Sequence, residues 1–410
     1  MKHAASWFAL AAVIGAVSAV AEPRVTIVAT RALDGRGNVL RNVAIVVEGD
    51  QITAIEPHRP VPAPAHGSGY DLSGLTVLPG LIDVHDHLVW HFNASDRLHT
   101  ADDGETPGQA ALAAAANAYA TLLAGFTTVQ SPGSPEDAEL REAIEGRGLP
   151  GPRLLTSLEP LDAETGGPEE LRRAVRARKQ QGADLIKIFA SKSIREGGDP
   201  TLSQEQLDAA CGEAKALGLR TLVHAHSAEA MRRTALAGCT QIEHGVFADD
   251  ETLRLLAERG VYFDPQCSLI FRNYLGNKPR FLGIGNYSEA GFAAMEKALP
   301  LAVATFKRAL AIPGLKLVFG TDAVAGAHGH NADDLVCRIS QGGQAAGDAI
   351  VSATSLAAES IGLGAQIGRI APGTRADLIA LDGDPLVDAG ALTRVVFVMK
   401  GGRVFLNRTR

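Results

Sequence analysis

Between residues 76 and 365, short apolar runs and helically periodic segments alternate along the chain. The runs recur at Thr76–Ile82, Thr127–Gln130, Arg153–Ser157, Asp184–Ile188, Arg220–His224, Thr240–His244, Val261–Asp264 and Lys316–Gly320. Each is too short for a stable helix and predicts a strand. Helical segments such as Gln109–Leu123, Pro168–Gln181 and Ser203–Leu217 lie between them. Gly125, Gly182, Gly218, Gly238 and Gly260 each stand just before a strand, where a helix must stop. This order of strands and helices predicts an α/β fold, a parallel (β/α)8 TIM-type barrel over 76–365. A doubly wound open sheet is the alternative, but no strand is followed by G-x-G-x-x-G.

The flanks carry a different pattern. Residues 24–75 hold strand-like runs at Val25–Ala29, Val43–Val47 and Gln51–Ile55, with Gly35, Gly37 and Gly49 at turns. The far end offers Asp377–Leu381, Val395–Met399 and Arg403–Leu406. Neither end has enough strands for a core of its own. One composite β-sandwich domain, residues 22–75 with 366–410, solves this and clasps the barrel.

Composition narrows the class. The first residues read as an export leader: Lys2 and His3, an apolar run from Trp7 to Val20, then Ala19-Val20-Ala21. Cleavage after Ala21 is expected, with residues 1–21 a signal peptide and the mature protein periplasmic or secreted, without a membrane anchor. The apolar run is short of the ~20 residues that span a bilayer. Net charge is −7, with no basic run, which argues against nucleic acid and leaves a small-molecule substrate as the expected partner. Cys211, Cys239, Cys267 and Cys337 show no C-x-x-C spacing and sit in apolar elements. Four buried free thiols are the expectation, although export permits bridges.

A barrel directs attention to the C-terminal ends of its strands. Read in order, these ends present His85 and His87, Lys187, His224 and His226, His244, and Asp322. In an extended segment, residues two apart share a side, so His85 and His87 converge on one point. An ammonium at Lys187 inside a barrel is costly without a partner. His226 lies nearer the mouth than His224 and is expected to face substrate. By strand parity Glu243 points away from His244, toward the helix layer. Asp83, one step deeper on the parity of His85, is read as support for the ligands or as plain core hydrogen bonding. So many metal-competent groups at one mouth point to a metal site.

With these residues in hand, the chain resembles the metal-dependent amidohydrolase superfamily. The branch is the one that groups imidazolonepropionase-like proteins, prolidase-like Xaa-Pro hydrolases and ochratoxin-type amidases. The resemblance spans the mature chain. It rests on Pro79-Gly80-Leu81-Ile82-Asp83-Val84-His85-Asp86-His87, on Gly125-Phe126-Thr127-Thr128-Val129, and on Gly373-Thr374-Arg375-Ala376-Asp377-Leu378 with Asp382-Gly383-Asp384-Pro385-Leu386. It implies two divalent metal ions, Zn²⁺ first, with Mn²⁺ and Fe²⁺ also suited to the ligands. His85, His87 and Asp322 would hold one and His224 and His244 the other. Lys187, carboxylated by CO₂, would bridge them.

The expected activity is hydrolysis of an amide bond in a dipeptide or N-acyl amino acid by a metal-bridging hydroxide, with Asp322 as proton carrier. A cyclic amide, lactone or phosphoester is the alternative on the same centre. A non-catalytic exported binding protein is the alternative of another class. Prolidase-like relatives carry a histidine after the third strand that helps hold the substrate carboxylate; here the stretch is Glu164-Thr165-Gly166-Gly167-Pro168. Arg272 and Tyr274, after strand seven, are candidates for that role. His328 and His330 follow strand eight as further candidates. A homo-oligomer is expected.

Overall fold

A computed structural model describes residues 24–57 and 68–409 of the chain. The expected leader and its cleavage site lie outside the described residues.

The small domain is one continuous mixed sheet. Its strands are β1 (Arg24–Leu33), β2 (Val39–Glu48), β3 (Gln51–Pro57), β4 (Ser68–Asp71) and β5 (Thr76–Pro79) from the front of the chain. The sheet runs from β3 through β2 and β1 to β5, then continues into strands from the C-terminal end, while β4 also pairs with β1. At its far edge, Ile52 N donates to Thr374 O at 2.8 Å and Ala376 N to Asp50 O at 2.8 Å. The sheet thereby curls back on a core that includes Ile27, Ile45, Val77, Leu378 and Phe397. Both ends of the chain are needed to fill that core.

The strand expected over 76–82 divides at Gly80. Its first half is β5, in the small domain, and its second half is β6 (Leu81–Asp83), which opens the barrel. One segment therefore couples the two units. β6, β7 (Phe126–Ser131) and β8 (Arg153–Thr156) pair in parallel. So do β9 (Leu185–Phe189), β10 (Arg220–Ser227), β11 (Gln241–Phe247), β12 (Tyr262–Asp264) and β13 (Lys316–Leu317). Two seams join these sets. At one, Asp184 N donates to Thr156 O at 2.8 Å and Leu161 N to Lys187 O at 2.9 Å. At the other, Val84 N donates to Phe319 O at 3.0 Å and His87 N to Ala323 O at 2.8 Å. The chain then returns to the small domain as β14 (Leu378–Leu381), β15 (Val395–Lys400) and β16 (Arg403–Asn407).

Helices cover the ring, and apolar side chains such as Ile186, Val223 and Ile242 meet Leu207, Leu253 and Leu256 between the layers. The five stop glycines all take positive φ, from +67° at Gly260 to +93° at Gly125, a region closed to most side chains.

The cysteines depart from expectation. Cys211 pairs with Cys239 and Cys267 with Cys337, and no cysteine is free among the described residues. Their partners are 28 and 70 residues away, so spacing gave no sign of them. The barrel supplies the proximity: the first bridge ties helix Gln204–Ala216 to the turn before β11, and the second ties the segment after β12 to helix Ala332–Ser340.

Candidate active site

Strand ends place the expected ligands around one cavity. His85 and His87 follow β6, Lys187 lies within β9, His224 and His226 lie at the end of β10, and His244 lies in β11. Asp322 follows β13, carried there by Val318, Phe319 and Gly320. Gly320 is required, because a Cβ there would stand 2.3 Å from an oxygen of Asp264. All seven groups line a cavity of about 480 Å³.

The contacts define two halves. On one side, Asp322 Oδ1 lies 3.0 Å from His87 Nε2 and 3.3 Å from His85 Nε2. On the other, the rings of His224, His226 and His244 have centroids 4.5–4.8 Å apart. Lys187 Nζ lies 3.0 Å from His85 Nε2. His226 thus belongs to the same imidazole cluster as His224, more deeply than its expected role at the mouth required; it is 3% exposed and its Nδ1 has no partner.

Backbone conformation aims two of these groups. His244 has φ +73° and Asp322 has φ +56°, both in the left-handed region that a side chain other than glycine rarely adopts. The turn at His244 corrects the strand-parity reading of Glu243. Glu243 faces the barrel interior, with Oε2 3.1 Å from His85 Nδ1, and the chain then turns so that His244 also faces inward. Strict alternation holds only while the strand stays extended.

Behind the ligands runs a buried polar chain. His244 Nδ1 lies 2.7 Å from Gln266 Oε1, and Gln266 Nε2 donates to Asp264 Oδ2 at 2.7 Å. Arg338, fully buried, donates to Asp264 Oδ1 at 2.7 Å. His244 Nδ1–H therefore donates to the Gln266 amide oxygen, which leaves the Nε2 lone pair free to face the cavity. Asp83 accepts from Thr321 Oγ1 and from Asn331 Nδ2 at 2.8 Å, so it fixes the loop that carries Asp322.

Burial disfavours the charged form of four of the imidazoles. Burial pushes His85, His224 and His244 well below the usual histidine range, and pushes His226 down to about 3. Burial also lowers Lys187. At Asp322 burial acts upward, but the hydrogen bond from His87 and the charge of Lys187 hold the carboxyl below its ordinary value. Burial pushes Glu243 well up, with the neighbouring charge of Asp264 adding to it.

The candidate substrate residues divide. Tyr274 lines the cavity, but Arg272 does not: its Nη2 reaches Gln341 Oε1 at 3.4 Å on the outer side of helix Leu269–Gly276. Residues two apart on a helix do not face the same way, which separates the pair. The His328 side chain turns inward, 3% exposed, with Nε2 3.1 Å from the His87 carbonyl oxygen, and His330 is exposed. Sequence reasoning missed Arg195, which also lines the cavity. Its guanidinium lies 4.1 Å from the ring centre of Tyr287 and 5.4 Å from that of Tyr274, with Nε on Asn286 Oδ1 at 2.7 Å. A basic residue in the long loop after β9 was the one available signal.

Comparisons with known proteins agree with this geometry. The chain is 27% identical over 432 residues to ochratoxinase of Aspergillus niger, covering 95% of this chain and 88% of that protein. It superposes on a Xaa-Pro dipeptidase solved with methionine in its active site, with TM-score 0.84 and 31% identity, over 94% of this chain and all of the other. It also superposes on a prolidase complexed with N-methylphosphonate-L-proline, with TM-score 0.81 and 26% identity, over the same shares. The pattern of the amidohydrolase family covers residues 76–405, which takes in the whole barrel and the returning strands. The chain therefore belongs to the amidohydrolase family and is a hydrolase of carbon–nitrogen bonds.

Proposed function

We propose that this protein is a binuclear metal-dependent amidohydrolase that cleaves the amide bond of a dipeptide or an N-acyl amino acid. The observation that carries the reading is the convergence of five imidazoles, Lys187 and Asp322 on one cavity. The donor set fits divalent metal ions: burial disfavours the charged form of His85, His224 and His244, and Gln266 fixes the ligating nitrogen of His244. His85, His87 and Asp322 would hold one ion and His224 and His244 the other. Lys187 fits as a carbamate, because a buried ammonium 3.0 Å from His85 Nε2 has no favourable role beside two cations, whereas an anion does. When bound, the ions lower the pKa of a water and polarise the scissile carbonyl.

The chain's own residues do the rest. Asp322 Oδ1 accepts the proton of the attacking water and delivers it to the leaving amine. Trp90 and Tyr274 wall the cavity and limit its water. Arg195, braced on Tyr287 and Asn286, supplies the positive charge that holds a substrate carboxylate, the role for which this chain lacks a histidine after β8. His226 contacts substrate from the imidazole cluster. The expected leader and the two paired cysteine sets support an exported enzyme working in an oxidising compartment.

A screen of the metal-loaded enzyme against dipeptides, N-acyl amino acids, lactones and phosphotriesters tests the reading. Turnover confined to lactones or phosphotriesters would replace it. Within the amide series, Arg195→Ala is expected to raise KM at least tenfold for substrates with a free carboxylate and to leave their amides unchanged.

A further inference from the structure

The loop after β6, residues 89–105, contains a second group of metal-competent side chains apart from the barrel cluster. Phe92 and Leu98 form an antiparallel bridge, and His99 N donates to His91 O at 3.0 Å. His91 and His99 are therefore directly opposite each other and share one face of a small hairpin. Their rings stack with centroids 4.5 Å apart and planes inclined by 19°.

The contacts around them leave a place for a cation. His91 Nδ1 lies 2.8 Å from Val89 O, so this nitrogen carries the ring proton. His91 Nε2 then presents a lone pair, yet it faces Glu105 Oε2 at 2.7 Å, another acceptor. His99 Nδ1 faces the same Glu105 oxygen at 3.3 Å and Asp103 Oδ2 at 2.8 Å. Two ring nitrogens and the Glu105 carboxylate thus converge, their ligand atoms all within 4.8 Å of one another. A proton bridges one nitrogen–oxygen pair, whereas a divalent ion takes all three as ligands. The group is recessed at His91, which is 5% exposed, and at the Glu105 side chain, 11% exposed, while His99, 27% exposed, opens it to solvent.

We propose that His91, His99 and Glu105 bind a divalent metal ion of the zinc class, which clips this loop shut. The donor set of two imidazoles and one carboxylate suits Zn²⁺ better than Ca²⁺ or Mg²⁺, which prefer oxygen ligands. The clip has a mechanical consequence. Trp90 precedes His91, lines the substrate cavity and packs on His87 with ring centroids 5.6 Å apart. Fixing His91 fixes Trp90 against a residue of the barrel cluster.

Calorimetric titration of the chelator-stripped full-length protein with Zn²⁺ tests the proposal, using wild type, His91→Gln, His99→Gln and Glu105→Gln. Whatever number of equivalents the barrel takes up, each variant is expected to bind about one fewer per chain. Circular dichroism checks folding, and Glu105→Gln, which keeps the size of the side chain, decides if a histidine variant fails to fold. The same number of equivalents in wild type and folded variants would overturn the site and assign the cluster to a proton-held ion pair. The comparison is internal to the loop, so it stands whether or not the barrel proves binuclear.

Discussion

Asp322 combines an unusual backbone, at φ +56°, with contacts to both histidines of the H-x-H pair. Asp322→Asn keeps an oxygen in place but cannot carry a proton, so kcat is expected to fall ~10²-fold or more, as steady-state kinetics would show. Lys187→Ala removes the proposed bridge. Elemental analysis should find less metal per chain than in wild type, and a short carboxylic acid should restore part of the lost activity. Undiminished metal and activity would make Lys187 a structural residue. At this scale the metal-competent residues were legible, because strand ends mark where a barrel places its chemistry. Glu243 was misread because the left-handed turn at His244 breaks the alternation on which the reading relied. Arg195 was illegible because its position depends on Tyr287 and Asn286, more than 90 residues away, a relation that no local pattern encodes.

Among the elements, the eight barrel strands were readable from short apolar runs, five of them preceded by a glycine that stops a helix. What the runs hid was the division at Gly80, since a continuous apolar stretch does not reveal that its halves pair in different sheets. The bridge between Cys267 and Cys337 was hidden for the same reason: 70 residues separate partners that only the closed ring brings together. It fastens the segment after β12, where Asp334 also accepts from Cys267 N, Ser268 N and Leu269 N. Replacing both cysteines by serine should destabilise the protein by on the order of 4 kcal/mol from loop-closure entropy, seen as a lower Tm by scanning calorimetry. An unchanged Tm, or free thiols detected by alkylation of the unfolded wild type, would show that the pair is not joined.

The molecule as a whole is a barrel held by a sheet that both ends of the chain build together. That composite was legible because neither end carried enough strands alone. Its export is a proposal that sequencing the N-terminus of the mature protein would check: the first residue should be Glu22, and an intact Met1 would contradict it. The central claim concerns what this assembly does. Its most direct test is product release from dipeptides and N-acyl amino acids, followed by mass spectrometry, before chelation, after it, and after Zn²⁺ is returned. The account predicts amide cleavage that chelation abolishes and Zn²⁺ restores. Amide cleavage that persists at full rate in the stripped enzyme would contradict it.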